Sequence, residues 1–195
     1  MPSAIALEKN RLRRLIRDRM IAFTPAIHGA ASVAVCFRLK QQAFFQKAST
    51  CLFFAPLPGE INIWPLLEET LDTGKPIALP RFNPTSQLYE ACLIQNIATD
   101  LFIGPYELRE PSPECPVMAL EGFDLILVPG IGFDAIGNRL GRGKGYYDRL
   151  LSITQGYKCG IGFEEQLVEE IPAAEHDIKM DCVITPQRRL DFKRA

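Results

Sequence analysis

Three glycines alternate with two basic residues in one short stretch of this 195-residue sequence. Gly141, Gly143 and Gly145 are interleaved with Arg142 and Lys144. Glycines let backbone amides approach an anion closely and tolerate positive φ, while the interleaved cations supply full charges. The pattern predicts a phosphate-binding loop in an ATP-using enzyme. The alternative is a mobile surface loop that happens to be rich in Gly and Arg.

The flanking sequence predicts where this glycine-rich loop lies in a fold. Residues 123–128, which are apolar except for Asp124, are typical of a buried strand, and residues 146–151 are expected to begin a helix. In open α/β sheets, ligands bind beyond the carboxyl ends of the strands, and a helix N-terminus adds its dipole. Basic residues are unfavourable at a helix N-terminus unless an anion is present, which favours the phosphate-binding interpretation.

Two better-known nucleotide-binding motifs do not fit this region. A Walker A loop needs GxxxxGK followed by Ser or Thr, but Asn138 stands at the first glycine position and Gly145 follows Lys144. A GxGxxG/A pattern does occur at residues 130–135, but the residues after it do not continue as a helix. The sequence therefore disfavours a P-loop NTPase and a nicotinamide or flavin enzyme.

Apolar runs and helical periodicity predict the remaining elements. We expect helices at residues 4–23, 64–73 and 146–151, strands at 32–37, 50–55, 76–80, 87–94, 123–128, 157–163 and 181–185 (the last strand), and a proline-containing loop at 104–121. Strands alternating with helices indicate an α/β fold. We expect a single domain over residues 1–195, with a mostly parallel sheet and helices on both faces, as in a Rossmann-like three-layer sandwich.

Charge, cysteine spacing and hydropathy exclude several classes of protein. The formal net charge is −1 at pH 7, which argues against general nucleic-acid binding. The six cysteines form no CxxC motif, since each is at least 15 residues from the next. There is no apolar signal core and no run approaching 18 apolar residues. We therefore expect a reduced, cytoplasmic protein with no membrane or nucleic-acid partner.

Basic residues are concentrated in the first predicted helix. Lys9, Arg13 and Arg17 follow at i+4 steps along one border of its apolar face. Like charges at this spacing cost a few tenths of a kcal/mol each. A small anionic ligand would offset that cost for Lys9 and Arg13, whereas a solvated basic face explains Arg11 and Arg14 better. A small nucleotide-sensing or RNA-binding module that uses this basic helix is the non-enzymatic alternative, but the near-zero net charge disfavours it.

The glycine-rich block and its neighbours resemble the signature of the 5-formyltetrahydrofolate cyclo-ligase family. The resemblance is carried by residues 128–134 and 137–148, and weaker elements occur in the right order at Lys9 with Arg13, 59–62, 74–82, 171–172 and 176–181. It implies ATP-dependent closure of 5-formyltetrahydrofolate to 5,10-methenyltetrahydrofolate with release of ADP and phosphate. The formyl oxygen would be phosphorylated before N10 attacks. It also implies Mg²⁺ with the ATP, and we expect a monomer.

The resemblance also assigns roles to individual residues. Arg142 and Lys144 would be catalytic, and Asp148 and Asp177 would bind the metal. ATP would contact Lys9, Arg13, Arg139, Leu140, Gly141, Arg142, Gly143, Lys144, Gly145, Tyr146 and Tyr147. The folate would contact Ala55, Glu60, Arg142, Gly143, Lys144, Gly145 and Tyr146. Asn62 and Ile63 stand where Asp-Thr is common in the family, which leaves the folate contacts there open.

Several of these residues have other interpretations. Asp148 lies in the first turn of a predicted helix, where a capping or dipole role is the alternative. Asp177 could instead be an ordinary surface aspartate without a metal, and in that case Asp181 is the substitute candidate for the metal ligand. One of Tyr146 and Tyr147 is expected to pack in the helix interface. A sugar-phosphate isomerase is a competing enzyme class, but the sequence lacks the acid–base residues expected for it.

Overall fold

The computed structural model describes residues 3–104 and 109–193. The helices are α1 (Ala4–Met20), α2 (Pro25–Lys40), α3 (Ala43–Lys47), α4 (Trp64–Asp72), α5 (Ile97–Asp100) and α6 (Tyr146–Ile153). The strands are β1 (Cys51–Leu52), β2 (Ile77–Asn83), β3 (Leu88–Ile94), β4 (Leu101–Ile103), β5 (Arg109–Pro111), β6 (Val117–Met118), β7 (Leu125–Pro129), β8 (Gly132–Phe133), β9 (Arg139–Leu140), β10 (Tyr157–Ile161), β11 (Cys182–Ile184) and β12 (Arg189–Asp191).

Eight strands form the central sheet, in the order β12-β11-β10-β7-β1-β2-β3-β6. The five strands from β11 to β2 run parallel. At the two sides, β12 pairs antiparallel with β11, β3 with β2, and β6 with β3. Every residue of β7 is buried, which explains why this strand is a continuous apolar run. The prediction of an α/β fold with a mostly parallel sheet is confirmed.

Successive residues of β7 face opposite sides of the sheet, and a separate core lies on each side. Leu125 and Leu127 pack in the core that includes residues of α2, α3 and α4. Ile126 and Val128 pack in the other core, to which α6 contributes Leu150 and Leu151. Helices therefore cover both faces, as the sequence predicted, with α6 on the face opposite α2 to α4.

The predicted strand at residues 32–37 is wrong, because this segment is the middle of α2. Thr24, the residue after the predicted end of the first helix, caps α2 by accepting a hydrogen bond from the Ile27 amide at 3.3 Å. The exposed side of α2 is also apolar, with Val33 71% and Phe37 61% exposed. Because this side of the helix is not polar, residues 32–37 show no helical alternation of polar and apolar residues, and the apolar run predicts a strand.

Short elements in connecting segments account for the other differences. The predicted loop at 104–121 contains β5 and β6, with residues 105–108 outside the described part of the chain. A further strand, β12, follows the one expected to be last, and β8 pairs with β9 in an unpredicted hairpin. Among the described helices, no single one passes the length and hydropathy test for a membrane span; α1 and α2 pass it only together, across a 108° bend.

Helix α1 lies against the β8–β9 hairpin. Leu12 and Ile16 pack with Leu140 and Ile171 in a small separate core. The fit is close, since a Cβ atom at Gly132 would lie 2.5 Å from Ile16 Cδ1. This packing fixes the basic border of α1 beside the glycine-rich loop, which follows β9 directly.

Candidate active site

A cavity of about 1310 Å³ opens beyond the carboxyl ends of the parallel strands. Its walls come from α1, the segment after β1, the glycine-rich loop with the start of α6, and residues 174–178. Every residue that the sequence analysis assigned to ATP, folate or metal lines it except Leu140. A cavity of this size exceeds that of a typical single-ligand pocket and has room for two substrates together.

The glycine-rich loop has the backbone geometry of an anion site. Gly143 and Gly145 adopt φ of 100° and 66°, which an L side chain rarely tolerates. Gly145 is the N-cap of α6 and supplies no side-chain hydrogen bond, so the first amides of the helix keep their hydrogen-bonding capacity. These amides lie at the positive end of the helix dipole, where phosphate binds favourably.

Lys144 is the free cation of this loop. Its side chain is exposed at the cavity, and it makes no ion pair with any residue in 3–104 or 109–193. Its carbonyl accepts a hydrogen bond from Arg149 Nη1 at 3.3 Å, which holds the backbone of the loop. The Lys144 ammonium group is therefore available to a ligand phosphate without breaking an existing contact.

Arg13 joins α1 to the loop. Its Nε donates a hydrogen bond to the Gly141 carbonyl at 2.8 Å, and Nη1 donates to Asn10 Oδ1 at 2.7 Å. Partial burial lowers the pKa of Arg13, opposed by the charge of Asp177, but a guanidinium stays protonated at neutral pH. Arg13 thus contributes both a loop anchor and a positive charge to the cavity.

Three ion pairs connect the segments around the cavity. In each pair, a cation predicted to contact ATP is bound to an acid predicted to contact metal or folate. The pairs are Lys9 Nζ with Asp177 Oδ2 at 2.5 Å, Arg139 Nη2 with Asp148 Oδ1 at 3.0 Å, and Arg142 Nη2 with Glu60 Oε1 at 3.0 Å. The arrangement holds the acidic and basic groups close together before substrates bind.

Arg139 is buried more deeply than its position in a basic loop suggested. Its side chain is 4% exposed, donates to Asp148, and lies with its guanidinium carbon 5.5 Å from the centre of the Tyr147 ring. Its Nε is buried without a partner among the described residues. Asp148 does not cap α6, because the N-cap is Gly145. Arg139 therefore fixes Asp148 and Tyr147 at the cavity wall.

The two predicted metal ligands line the same cavity. Asp148 Oδ2 and Asp177 Oδ1 have no hydrogen-bond partner among the described residues, so each carboxylate keeps one oxygen available. Residues 3–104 and 109–193 contain no preformed group of three or more His, Cys, Asp or Glu suited to a metal. Asp181, the substitute candidate, does not line the cavity and accepts a hydrogen bond from the Lys158 amide at 2.7 Å. The metal assignment stays a prediction.

Some residues lie where sequence reasoning did not put them. The Leu140 side chain is 1% exposed, and its carbonyl accepts a hydrogen bond from the Ile131 amide at 2.8 Å, so it is part of the core beneath the loop. Conversely, Tyr89 on β3 and Arg149 on α6 line the cavity. Arg149 lies over the Tyr146 ring at 5.0 Å. Arg149 follows Tyr146 by three positions along α6, and this i+3 spacing could have predicted that the two side chains meet at the cavity.

The Lys9–Asp177 pair predicts a defined acid dependence of stability. Burial raises the pKa of Asp177, but hydrogen bonds from Lys9 and the Ala174 amide and the charges of Lys9 and His176 outweigh it, so the pKa falls below its ordinary 3.8. A group whose pKa is lowered on folding stabilises the protein above its unfolded pKa, and this contribution is lost as pH falls through the folded value.

We therefore expect Asp177→Asn to lower the free energy of unfolding at pH 7 and to have progressively less effect as the pH falls below 3.8. Urea titrations of both proteins between neutral and acidic pH measure this difference. Asp72→Asn, at an exposed position of α4, serves as the control. A wild-type advantage that persists unchanged at the acidic end would contradict the assignment.

The chain is similar to known proteins over most of its length. A sequence model of the 5-formyltetrahydrofolate cyclo-ligase family matches residues 6–186. The 5-formyltetrahydrofolate cyclo-ligase of Escherichia coli (strain K12) is 32% identical over 178 residues, which cover 89% of this chain and 98% of the relative. The Mus musculus enzyme of that name is 27% identical, covering 90% and 92%. The NMR structure of Aquifex aeolicus 5,10-methenyltetrahydrofolate synthetase matches with a TM-score of 0.85 and 30% identity, covering 96% and 94%.

Proposed function

Because the chain belongs to the 5-formyltetrahydrofolate cyclo-ligase family, we propose that it closes the ring of 5-formyltetrahydrofolate to 5,10-methenyltetrahydrofolate at the expense of ATP. The observation that carries the proposal is the uncapped start of α6, which lies next to the free ammonium group of Lys144 in one cavity with Glu60. The first two features suit a phosphoryl group, and the third suits the polar edge of a pterin.

The chemistry explains why ATP is needed. A formamide carbon is a poor electrophile, and its oxygen is a poor leaving group. Attack of the formyl oxygen on the γ-phosphorus breaks the bond to the β-phosphate and releases ADP. N10 then attacks the formyl carbon and loses its proton, and the carbon–oxygen bond breaks to release inorganic phosphate. The protein must align two substrates and stabilise charge on the transferring group.

The glycine-rich loop would stabilise that charge. In our proposal, the α6 amides, Lys144 and Arg142 surround the γ-phosphoryl group, and Lys9 and Arg13 contact the rest of the triphosphate. Preorganised donors in a partly enclosed site act strongly on charge that develops during the reaction. Arg142 is paired with Glu60, but its side chain is 58% exposed. Because it is exposed, it can move from the carboxylate to a phosphate as the substrates enter.

Glu60 would orient the folate. Its side chain is 12% exposed, Oε1 accepts from Arg142 at 3.0 Å, and Oε2 accepts from the Leu57 amide at 3.0 Å. These contacts fix the carboxylate at the cavity wall, where it would accept hydrogen bonds from N–H groups of the pterin. Tyr89 and Tyr146, with ring centres 5.5 Å apart, add an aromatic wall for a flat ring system.

The residues present fit the Mg²⁺ that accompanies ATP. Mg²⁺ takes oxygen ligands, commonly one or two carboxylates together with phosphates and water, so no preformed protein cluster is required. Asp148 and Asp177 would hold it through their available oxygens. When bound, the ion would neutralise charge on the β- and γ-phosphates. Lys9 and Arg139 orient these carboxylates through the ion pairs described above.

A direct assay tests the proposal. Purified protein, Mg-ATP and 5-formyltetrahydrofolate are mixed, and the near-ultraviolet absorbance of the methenyl product is followed while phosphate release is measured in parallel. We expect product and phosphate to appear in equal amounts, and only when ATP is present. Folded protein that gives no ATP-dependent absorbance change would refute the proposal. Phosphate release without methenyl product would instead indicate an ATPase acting on another acceptor.

A further inference from the structure

A second, smaller cavity of about 280 Å³ adjoins the proposed active site. Leu57, Glu60 and Arg109 line both cavities, so the two lie side by side. The second cavity adds residues from α2 and from the start of α4, including His28 and Trp64. The ring-closure chemistry proposed above uses none of these additional groups.

Arg109 gives the second cavity an unused cation. Its guanidinium carbon lies 5.2 Å from the centre of the Trp64 ring, and within residues 3–104 and 109–193 it forms neither an ion pair nor a hydrogen bond. A guanidinium stacked on an aromatic ring keeps its planar edge of N–H donors free. That edge matches a carboxylate, which it binds through two parallel hydrogen bonds.

The other polar groups of the second cavity favour an anionic occupant. Glu60 is its one acidic residue within the described part of the chain, and both Glu60 oxygens already accept hydrogen bonds, from Arg142 and the Leu57 amide. His28 Nε2 is buried without a partner among the described residues. Glu110 lines the larger cavity and not this one. The charge of Arg109 is therefore not neutralised by a neighbouring described carboxylate.

We infer that this second cavity binds the glutamate tail of the folate and that Arg109 selects for its carboxylates. The inference rests on the proposed function. With the pterin beside Glu60, the far end of the same molecule carries carboxylates, and the shared wall of Leu57, Glu60 and Arg109 leads toward the stacked guanidinium. Arg109 is a specificity residue remote from the reacting atoms, and binding energy gained there aligns the formyl group.

Paired substrates test this role. Turnover of 5-formyltetrahydrofolate is compared with that of 5-formyltetrahydropteroate, which lacks the glutamate. We expect the wild type to prefer the complete substrate by about tenfold in kcat/KM, the effect of one charge-assisted contact at an exposed site. In Arg109→Ala the preference should fall to roughly parity, and Arg109→Lys should retain part of it because the charge remains without the planar fork.

Two further measurements make the result decisive. Arg14→Ala, at an exposed position of α1 outside both cavities, removes the same charge and should leave the tail preference intact. Calorimetric affinities for the two folates without ATP give the same comparison independently of turnover. An unchanged preference in Arg109→Ala, or none in the wild type, overturns the tail assignment while leaving ring closure in place. Absence of turnover with either folate instead counts against the proposed function, and the affinity ratio still tests Arg109.

Discussion

Replacing Lys144 with methionine should lower kcat by about 10²–10³-fold, the usual cost of removing one preorganised charge or donor from a developing anion. Methionine keeps much of the length of the side chain and removes the ammonium group. Lys144 has no ion-pair partner among the described residues, so its loss should leave the fold intact. Steady-state kinetics with saturating ATP and folate, together with a thermal unfolding curve, measure the two effects separately.

The size of the kcat effect distinguishes Lys144 from a residue that only attracts ATP. A cation that binds substrate and transition state equally would raise KM for ATP and leave kcat unchanged. Lys144→Arg should restore part of kcat, because it returns the charge with a different shape. Lys47→Met, at an exposed position of α3 away from the cavity, is the matched control. A Lys144→Met enzyme with normal kcat would remove this residue from the proposed chemistry.

Local patterns were enough to predict the glycine-rich loop. Gly143 and Gly145 are needed where they are because the chain adopts positive φ there, and the strand and helix on either side follow in sequence. Backbone geometry that depends on a few consecutive residues can be predicted from the order of those residues. The same reasoning identified β7, whose burial on both faces leaves a continuous apolar run.

The ion pairs could not be predicted in the same way. Lys9 and Asp177 are 168 positions apart, and Arg142 and Glu60 are 82 apart, so only the completed fold brings them together. Each residue was given a ligand as its partner, and the structure shows that each also has a protein partner. Arg139 and Asp148 are only nine positions apart, but their contact depends on the loop doubling back onto α6.

Helix α2 is an element whose type could not be predicted from its local sequence. Its composition allowed either a helix or a buried strand, because apolar residues occur on both its buried and exposed sides. Thr24 and Pro25 suit the end of one helix and the start of another equally well, since a cap residue followed by proline begins helices. Helix α2 packs against β11, which is far away along the chain, and a contact of that kind cannot be predicted from the local sequence.

Asp134, which belongs to the segment 128–134 that resembles the family signature, has a structural role in the β8–β9 hairpin. It is 1% exposed, and its carboxylate closes the β8–β9 hairpin and ties it to Ile171. Oδ1 accepts from the amides of Ile136 at 3.0 Å and Asn138 at 2.8 Å, while Oδ2 accepts from Asn138 Nδ2 at 2.8 Å and the Ile171 amide at 3.0 Å. Arg139 is the first residue of β9, and the glycine-rich loop follows the hairpin directly.

We expect Asp134→Ala to lower the free energy of unfolding by about 4 kcal/mol, because four donors would lose their acceptor and each unsatisfied buried group costs about 1–3 kcal/mol without full additivity. Asp134→Asn should cost about half as much, since its amide oxygen still accepts two of the bonds. Urea unfolding at neutral pH measures both.

Asp124→Ala is the matched control for the effect of burial. Asp124 Oδ2 also accepts hydrogen bonds from backbone amides, those of Ser49 at 2.7 Å and Thr50 at 3.1 Å, but Asp124 is exposed. Water can replace the lost acceptor there, so we expect a cost of about 1 kcal/mol. Equal losses at Asp134 and Asp124 would show that burial of the hairpin donors is not what makes Asp134 necessary. A small loss at Asp134 alone would mean that the hairpin keeps its shape without the carboxylate, and the glycine-rich loop would then depend on Arg13 and Arg139 for its position.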